Sequence, residues 1–289
     1  MIYTKEDYTM LSANRPILGL MTLITLTISG CSPNSASSDA KIVNGSAPSK
    51  GTVADSSAIS LYTKNEDGTM ASYCGATLIA QNLLVSAAHC FDTLDGEQVY
   101  AAIRRNPKRD DMSAFVKIEA FQVHPLWHEQ TAPHHDISWA RLASAAPASF
   151  KPVTILKSSA PLKAKPEVLI AGFGQTASIC PDEGCSDELR EATTQVVNFI
   201  ETRGDYAFIV THDPINHRSA CRGDSGGPAY IKQKDKWLLA GIVHGFDDET
   251  TQTETIEGQE CESGQIIYTF ISPYVEWIQK TSKVKLSAL

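Results

Sequence analysis

Three short segments of this 289-residue chain hold side chains that could take part in one reaction: His89 in Ser-Ala-Ala-His-Cys, Asp136 in His-Asp-Ile-Ser-Trp and Ser225 in Gly-Asp-Ser-Gly-Gly-Pro. A serine hydroxyl is a weak nucleophile at neutral pH and needs an adjacent base, and histidine is the side chain best suited to that task. A buried carboxylate can then hold the imidazole in one tautomer and stabilise its charged form. The residue types therefore indicate nucleophilic attack on a carbonyl, provided that the fold brings the segments together.

The glycines around Ser225 favour the same chemistry, because they leave backbone N–H groups unobstructed where a negative oxygen would develop. Each segment alone has an ordinary explanation. A His-Cys pair is usually core or the end of a disulfide, a His-Asp pair usually lies on the surface, and Gly-Asp-Ser-Gly is usually a turn. The presence of all three in one chain favours catalysis.

The elements that must position these residues are predicted to be β-strands. Short apolar or alternating runs are separated by Gly, Pro, Asn and Asp, which predicts an all-β sandwich or barrel. The runs cover residues 58–62, 76–86, 99–103, 116–123, 168–172, 193–200, 207–211, 237–243 and 265–271. Only two helical segments are predicted, at 87–91 and 273–284. Strands and helices do not alternate, which argues against α/β folds.

In the order His, Asp, Ser, the three segments resemble the chymotrypsin/trypsin family of serine peptidases, and the resemblance extends from Ile42 to about Lys280. It implies two six-stranded antiparallel Greek-key β-barrels with a C-terminal helix. It also implies a serine endopeptidase that hydrolyses proteins or peptides without a metal or cofactor. A non-catalytic surface-binding module on the same fold is the alternative, although the chain keeps all three residues of the triad.

The resemblance assigns a role to each residue of the site. His89 is the general base, Asp136 is the carboxylate that orients it, and Ser225 is the nucleophile. The backbone N–H groups of Gly223 and Ser225 form the oxyanion hole.

The resemblance also locates a substrate pocket. Ser219 stands where the trypsin branch has an aspartate, so a preference for Lys or Arg is not expected. Serine at this position resembles the chymotrypsin branch, which favours large apolar side chains. However, His244-Gly245-Phe246 stands in place of Ser-Trp-Gly, so that Phe246 and Ile266 replace glycines. A narrower pocket for small or medium apolar side chains is therefore the second interpretation.

Residues 1–30 have the layout of a signal peptide, with Arg15 before an apolar run at 17–28 and small residues at the cut. That run is too short to span a membrane, which takes about 20 apolar residues. Either Met1 or Met10 could be the start. Ile-Ser-Gly-Cys31 resembles the bacterial lipobox, in which the cysteine is lipidated; an ordinary signal peptide with a cysteine nearby is the alternative. We therefore predict an exported lipoprotein anchored in the bacterial cell envelope.

Residues 31–41 are predicted to be a lipidated tether and propeptide, followed by the peptidase domain at 42–289. Lys41-Ile-Val-Asn-Gly resembles the family's zymogen cleavage site, and an exposed linker is the alternative. The resemblance implies that an activating protease cuts after Lys41 and that the freed ammonium of Ile42 pairs with Asp224. Because the cut would separate the domain from Cys31, activation would also release the enzyme from the membrane.

The chain has seven cysteines, and setting Cys31 aside leaves an even number in an exported chain, which predicts a disulfide framework. The spacing alone does not choose a connectivity, and it contains no Cys-x-x-Cys pair of the kind that holds zinc. The resemblance implies the bridges Cys74–Cys90 and Cys221–Cys261, which leaves Cys180 and Cys185 for each other.

The net charge of −8 argues against nucleic acid as a partner, because an acidic domain repels a phosphate backbone. Seven of the acidic residues, and no basic ones, fall in residues 247–262. This segment is predicted to be a solvated insertion loop; the alternative is that it attracts basic substrate segments.

Overall fold

Strands dominate the structure, a computed structural model that describes residues 42–92, 94, 96–127, 134–179, 188–202, 206–246, 259–263 and 265–289. Several predictions from the sequence lie outside the described residues. These are the signal peptide, the lipid site Cys31, the cleavage residue Lys41, the pair Cys180 and Cys185, and most of the acidic segment.

The first barrel is closed by six antiparallel strands in the order β1-β2-β3-β6-β5-β4. They are β1 Ala58–Lys64, β2 Met70–Ala80, β3 Leu83–Ser86, β4 Tyr100–Ala102, β5 Phe115–Val123 and β6 Ser138–Leu142. Alternate side chains point into a small barrel and fill it. Leu61, Leu78 and Leu84 do so here, each with no exposed surface.

The second barrel repeats the arrangement with the strands in the order β8-β9-β10-β13-β12-β11, closed by the pairing of β11 with β8. They are β8 Glu167–Gly172, β9 Arg190–Glu201, β10 Ala207–His212, β11 Pro228–Gln233, β12 Lys236–Gly245 and β13 Ile266–Phe270. A short strand, β7 Thr154–Ile155, adds to β12 in parallel. The predicted fold of two six-stranded barrels is confirmed.

The barrels pack against each other through a shared apolar core. Val85 and Ile137 from the first barrel and Tyr230 and Ile242 from the second belong to one buried cluster. The Tyr230 hydroxyl also lies 2.8 Å from the Ser57 hydroxyl, so the buried tyrosine has a polar partner. Residues at the ends of β3 and β6 are therefore held against the second barrel.

The C-terminal helix closes one side of this shared core. A turn of 3-10 helix, Ser272–Tyr274, leads into helix α5, Val275–Ser282. Ile278 is buried in the inter-barrel cluster, and Trp139 of β6 donates its indole N–H to the Thr281 hydroxyl at 2.8 Å. The helix ends at Lys283, which adopts a left-handed conformation with φ of 61°.

Two details of the predicted secondary structure were wrong. The run at 76–86 is a hairpin of β2 and β3 rather than one strand, because the chain turns at Gln81 and Asn82. Helices are also more numerous than predicted, since single turns carry too little periodicity to be recognised. The remaining ones are α1 Val53–Ser57, α2 His89–Asp92, α3 Ala160–Lys163, α4 Glu260–Ser263 and a 3-10 turn at Met112–Ala114.

Within the residues that the structure describes, no helix has both the length and the apolar character needed to cross a membrane.

The packing of α5 predicts that Ile278→Ala will lower the free energy of unfolding by about 2–5 kcal/mol, because the substitution leaves a cavity in the inter-barrel core. Lys280→Ala, on the exposed side of the same helix, serves as the control and is expected to cost less than about 1 kcal/mol. Urea denaturation measures both. Equal costs would show that the helix contributes little to the shared core.

Candidate active site

His89 begins α2 and follows strand β3 after two alanines, Ala87 and Ala88. Its Nδ1 lies 2.8 Å from Asp136 Oδ2, and its backbone N–H donates to Asp136 Oδ1 at 3.0 Å. The ring is 27% exposed, whereas the Asp136 side chain is fully buried. Two contacts between one histidine and one carboxylate fix the ring plane and require a proton on Nδ1. In the neutral ring the other nitrogen, Nε2, then carries no proton and can act as a base.

A second histidine also contacts this carboxylate. His244, at the end of β12, lies with its Nδ1 2.8 Å from Asp136 Oδ2. Burial alone would raise the pKa of Asp136, but the hydrogen bonds and the charges of His244 and His89 outweigh it. The pKa of Asp136 therefore lies well below its ordinary value, and the carboxylate stays ionised.

The sequence by itself does not indicate that His244 contacts Asp136. In the resemblance to the family, His244 only marks the first position of the segment that stands in place of Ser-Trp-Gly. A signal was present, since a titratable side chain directly follows the apolar run 237–243 next to the expected pocket. A side chain that pairs with a residue 108 positions earlier cannot be assigned from spacing.

Ser225 lies in a tight turn before β11 that packs against the first barrel. Its carbonyl oxygen accepts from the Gly75 N–H at 2.7 Å and lies 3.7 Å from the sulfur of Cys90, the residue after His89. Gly226 has φ of 77°, and a Cβ there would lie 2.1 Å from the Ser86 hydroxyl. Only glycine permits this close approach, which seats Ser225 against the corner between β3 and α2.

Gly223 supplies the other half of the predicted oxyanion hole. It adopts a positive φ of 90°, which a residue with a side chain would find strained. Neither its N–H nor that of Ser225 has a hydrogen-bond acceptor among the described residues. Two N–H groups without an acceptor, two residues apart in one turn, could bind a negatively charged oxygen.

Asp224 is buried beneath the turn that carries Ser225. Its carboxylate accepts from the Gly174 and Cys221 N–H groups, each at 2.8 Å. Burial raises the pKa of Asp224 to about 7, despite hydrogen bonds from three backbone N–H groups, and no cation among the described residues offsets it. A Cβ at Gly172 would lie 1.9 Å from Asp224 Oδ1, so the carboxylate is closely enclosed.

Ile42, the predicted new N-terminus, lies with its side chain fully buried in the core of the second barrel. The next residue, Val43, donates its N–H to the Ser219 carbonyl at 2.9 Å. The start of the predicted domain is thus packed into the same barrel as Asp224.

The three predicted pocket residues are all packed in the second barrel. Ser219 is buried and donates its hydroxyl proton to the Ala220 carbonyl at 3.0 Å. Ile266 is 2% exposed in the barrel core. Phe246 packs on the Cys221 and Cys261 side chains. Ile266 and Phe246 therefore occupy space that glycine would leave open.

The structure contains both disulfides that the resemblance implies, Cys74–Cys90 and Cys221–Cys261. The first includes Cys90, the residue after His89, and the second joins Cys221, just before Ser225 in the chain, to Cys261. In the described part of the chain, Cys74, His89 and Cys90 form the only group of three or more His, Cys, Asp or Glu side chains whose ligating atoms all lie within 4.8 Å of one another. Their sulfurs are bonded to each other and offer no thiolate to a metal.

Comparison with known proteins extends the similarity over both barrels. A family model described as Trypsin matches residues 42–278. Chymotrypsin-like elastase family member 1 of Macaca fascicularis is 26% identical over 72% of this chain and 78% of its own length. Trypsin-3 of Homo sapiens is 27% identical over 72% of this chain and 64% of its own, and transmembrane protease serine 7 of Mus musculus is 27% identical over 72% of this chain and 25% of its own.

The environment of Asp224 predicts how stability depends on pH in the uncut chain. The carboxyl is protonated more readily when folded than when unfolded, because its pKa rises from 3.8 to about 7. The contribution of this carboxyl to the free energy of unfolding is thus fully present below pH 3.8 and is lost as the pH rises through about 7. In a chain kept uncut by Lys41→Gln, the free energy of unfolding should therefore fall by on the order of a few kcal/mol over this pH range, and Asp224→Asn should abolish that fall.

Urea unfolding at several pH values measures the effect, and Asp235→Asn, at an exposed position, is the matched control. An undiminished decline in the Asp224→Asn protein would place the titrating group elsewhere.

Proposed function

This chain belongs to the trypsin family, and on that premise we propose that it is a serine endopeptidase in which Ser225 attacks a peptide carbonyl and His89 accepts the hydroxyl proton. The observation that carries the proposal is the pair of contacts between His89 and the buried Asp136 carboxylate. They would orient the imidazole as a base, and the packing of the Ser225 backbone against Gly75 and Cys90 supports its nearness to the nucleophile.

The proposed reaction proceeds in two halves. Ser225 Oγ bonds to the carbonyl carbon while its proton passes to Nε2 of His89, and the carbonyl oxygen becomes an oxyanion facing the Gly223 and Ser225 N–H groups. The C–N bond then breaks, and the leaving amine takes the proton from His89. Water then attacks the acyl carbon while His89 takes its proton. The bond between the acyl carbon and Ser225 Oγ breaks, and His89 returns the proton to Oγ as the carboxylic acid leaves. Asp136 stays ionised throughout and stabilises the imidazolium.

We further propose that the enzyme is made as a zymogen that a second protease cuts after Lys41. The freed ammonium of Ile42 would pair with Asp224 and fix the turn that carries Gly223 and Ser225. The raised pKa of Asp224 supports this step, because a buried carboxylate without a cation gains most from an incoming positive charge.

Export and anchoring form the next part of the proposal. A signal peptide at 1–30 and a lipid on Cys31 would hold the zymogen in the bacterial cell envelope, and cleavage after Lys41 would separate the domain from its lipid. Activation and release would then be one event.

We propose that the enzyme cleaves its substrates after residues with small or medium apolar side chains. The support is the packing of the partly exposed Phe246 against the Cys221–Cys261 disulfide. Ser219, rather than an acidic residue, gives a basic side chain no charge partner.

Labelling with a fluorophosphonate tests the proposed nucleophile without knowledge of the substrate. The probe forms an Oγ–P bond with a base-activated serine and releases fluoride. We expect labelling of the chain cut after Lys41 and none of the Ser225→Ala protein. Ser158→Ala, which removes an exposed hydroxyl outside the candidate site, is the matched control and should still be labelled.

The uncut Lys41→Gln protein should react far more slowly and stay in the membrane fraction, while labelled wild-type enzyme should be soluble. Absence of labelling in the cut wild-type chain would favour a non-catalytic binding module. Labelled enzyme that begins at Ile42 yet stays in the membrane would contradict release.

Profiling the cut enzyme on a peptide library tests the substrate proposal. We expect cleavage after residues such as Ala and Val, and Phe246→Ala should extend it to large apolar residues by opening the pocket. Phe121→Ala, at a 45% exposed position in the first barrel, should leave the profile unchanged. Preferential cleavage after Lys or Arg would contradict the proposed pocket.

A further inference from the structure

The Asp136 carboxylate is shared between two imidazoles. His89 Nδ1 and His244 Nδ1 each lie 2.8 Å from the same oxygen, Oδ2, while Oδ1 accepts from the His89 N–H. An ionised carboxylate only accepts hydrogen bonds, so both rings must carry their proton on Nδ1 when they make these contacts. His244 is therefore a donor to Asp136 in its own right.

The backbone around His244 is shaped to make this contact. The pairing of β12 with β13 shifts register between Val243 and Gly245, so His244 lies in a β-bulge. Bulges re-aim a side chain and are frequent beside active sites. Two hydrogen bonds of 2.8 Å tie Val243 to the glycines that follow Ser225, Gly226 and Gly227. The bulge is thus anchored to the same turn as the nucleophile.

The surroundings of the ring hold it in place. The His244 side chain is only 14% exposed, and its ring centroid lies 5.7 Å from that of Phe208 on β10. Because Asp136 belongs to the first barrel and His244 to the second, the contact crosses the barrel interface. It gives the carboxylate a partner from each barrel.

We infer that His244 is a positioning residue, which donates its Nδ1 proton to Asp136 and thereby both orients the carboxylate toward His89 and takes a share of its negative charge. The inference rests on the proposed function, because it gives a role to His89 as the base. A donor that draws charge from the carboxylate leaves less to stabilise a proton on His89. His244 would then set the pH at which the base becomes available.

The charges that act on Asp136 come from two elements. Among the described residues, the titratable side chains that act on Asp136 are His89 from α2 and His244 from β12. The ring of Trp127, 6.5 Å from His89, is neutral and donates its N–H to Asp92 at the end of α2. Changes at His244 should consequently reach His89 through Asp136.

Two substitutions of His244 distinguish its role as a hydrogen-bond donor from its role in filling space. Asparagine carries its amide nitrogen at the same number of bonds from Cβ as histidine Nδ1, so His244→Asn can keep the donor. His244→Leu fills similar space without one. The readouts are the rate of fluorophosphonate labelling of the cut enzyme against pH, and the downfield proton NMR signals of ring N–H groups bonded to a carboxylate.

We expect His244→Leu to slow labelling by about 10-fold to 100-fold, by analogy with the loss of a group that orients a metal-binding histidine. The acid limb of its pH–rate profile, where labelling slows as His89 becomes protonated, should move to higher pH. The reason is that His89 then faces the whole carboxylate charge and holds its proton more tightly. His244→Asn should stay within a few-fold of wild type, with the acid limb nearly unmoved.

NMR separates failure of this inference from failure of the proposed function. Wild-type enzyme should show two downfield ring N–H signals, of which His244→Leu and His244→Asn each lose one. A wild-type enzyme that shows both signals but is not labelled would refute the peptidase while leaving the contact intact. A single signal in the wild type, an acid limb unmoved by His244→Leu, or equal slowing by both variants would overturn the inference.

Discussion

One buried carboxylate, that of Asp136, has hydrogen-bond partners in both barrels. Moving an ionised carboxylate out of water costs several kcal/mol unless donors replace the lost solvent. Asp136 has no exposed surface, and its donors come from His89 in the first barrel and His244 in the second. Correct docking of the barrels is therefore a condition for keeping this charge buried. The shared apolar core around Ile137 and Ile242 supplies the docking energy.

Asp224 shows how the same side chain behaves with different partners. It is also fully buried, but its partners are backbone N–H groups, which carry no net charge. Burial prevails there and raises the pKa of Asp224 to about 7, whereas two imidazoles lower the pKa of Asp136. Asp136 is thus stable as an anion, whereas Asp224 would be stabilised most by a cation that approaches later. This difference gives the proposed activation step its driving force.

Much of the fold and the core of the candidate site could be predicted from the sequence. Gly-Asp-Ser-Gly-Gly-Pro is informative because the turn needs a positive φ at Gly223 and Gly226, which restricts the residues that fit. The contact between His244 and Asp136 could not be predicted, because it depends on a bulge in β12 and on the docking of separate barrels. The hairpin at 76–86 was not predicted either, because its turn consists of only two polar residues, Gln81 and Asn82, within an apolar run.

The equal strand order of the two barrels has a consequence for the origin of the site. Two closed barrels with the same connectivity are what duplication of one ancestral half would produce. Each half folds its strands around its own core, yet His89 and Asp136 come from one half and Ser225 and His244 from the other. Neither half by itself holds a complete set of reactive groups. A reaction that needs groups from both halves can arise only when the two halves are joined and docked, and the residues at the surface where they meet then serve both packing and chemistry.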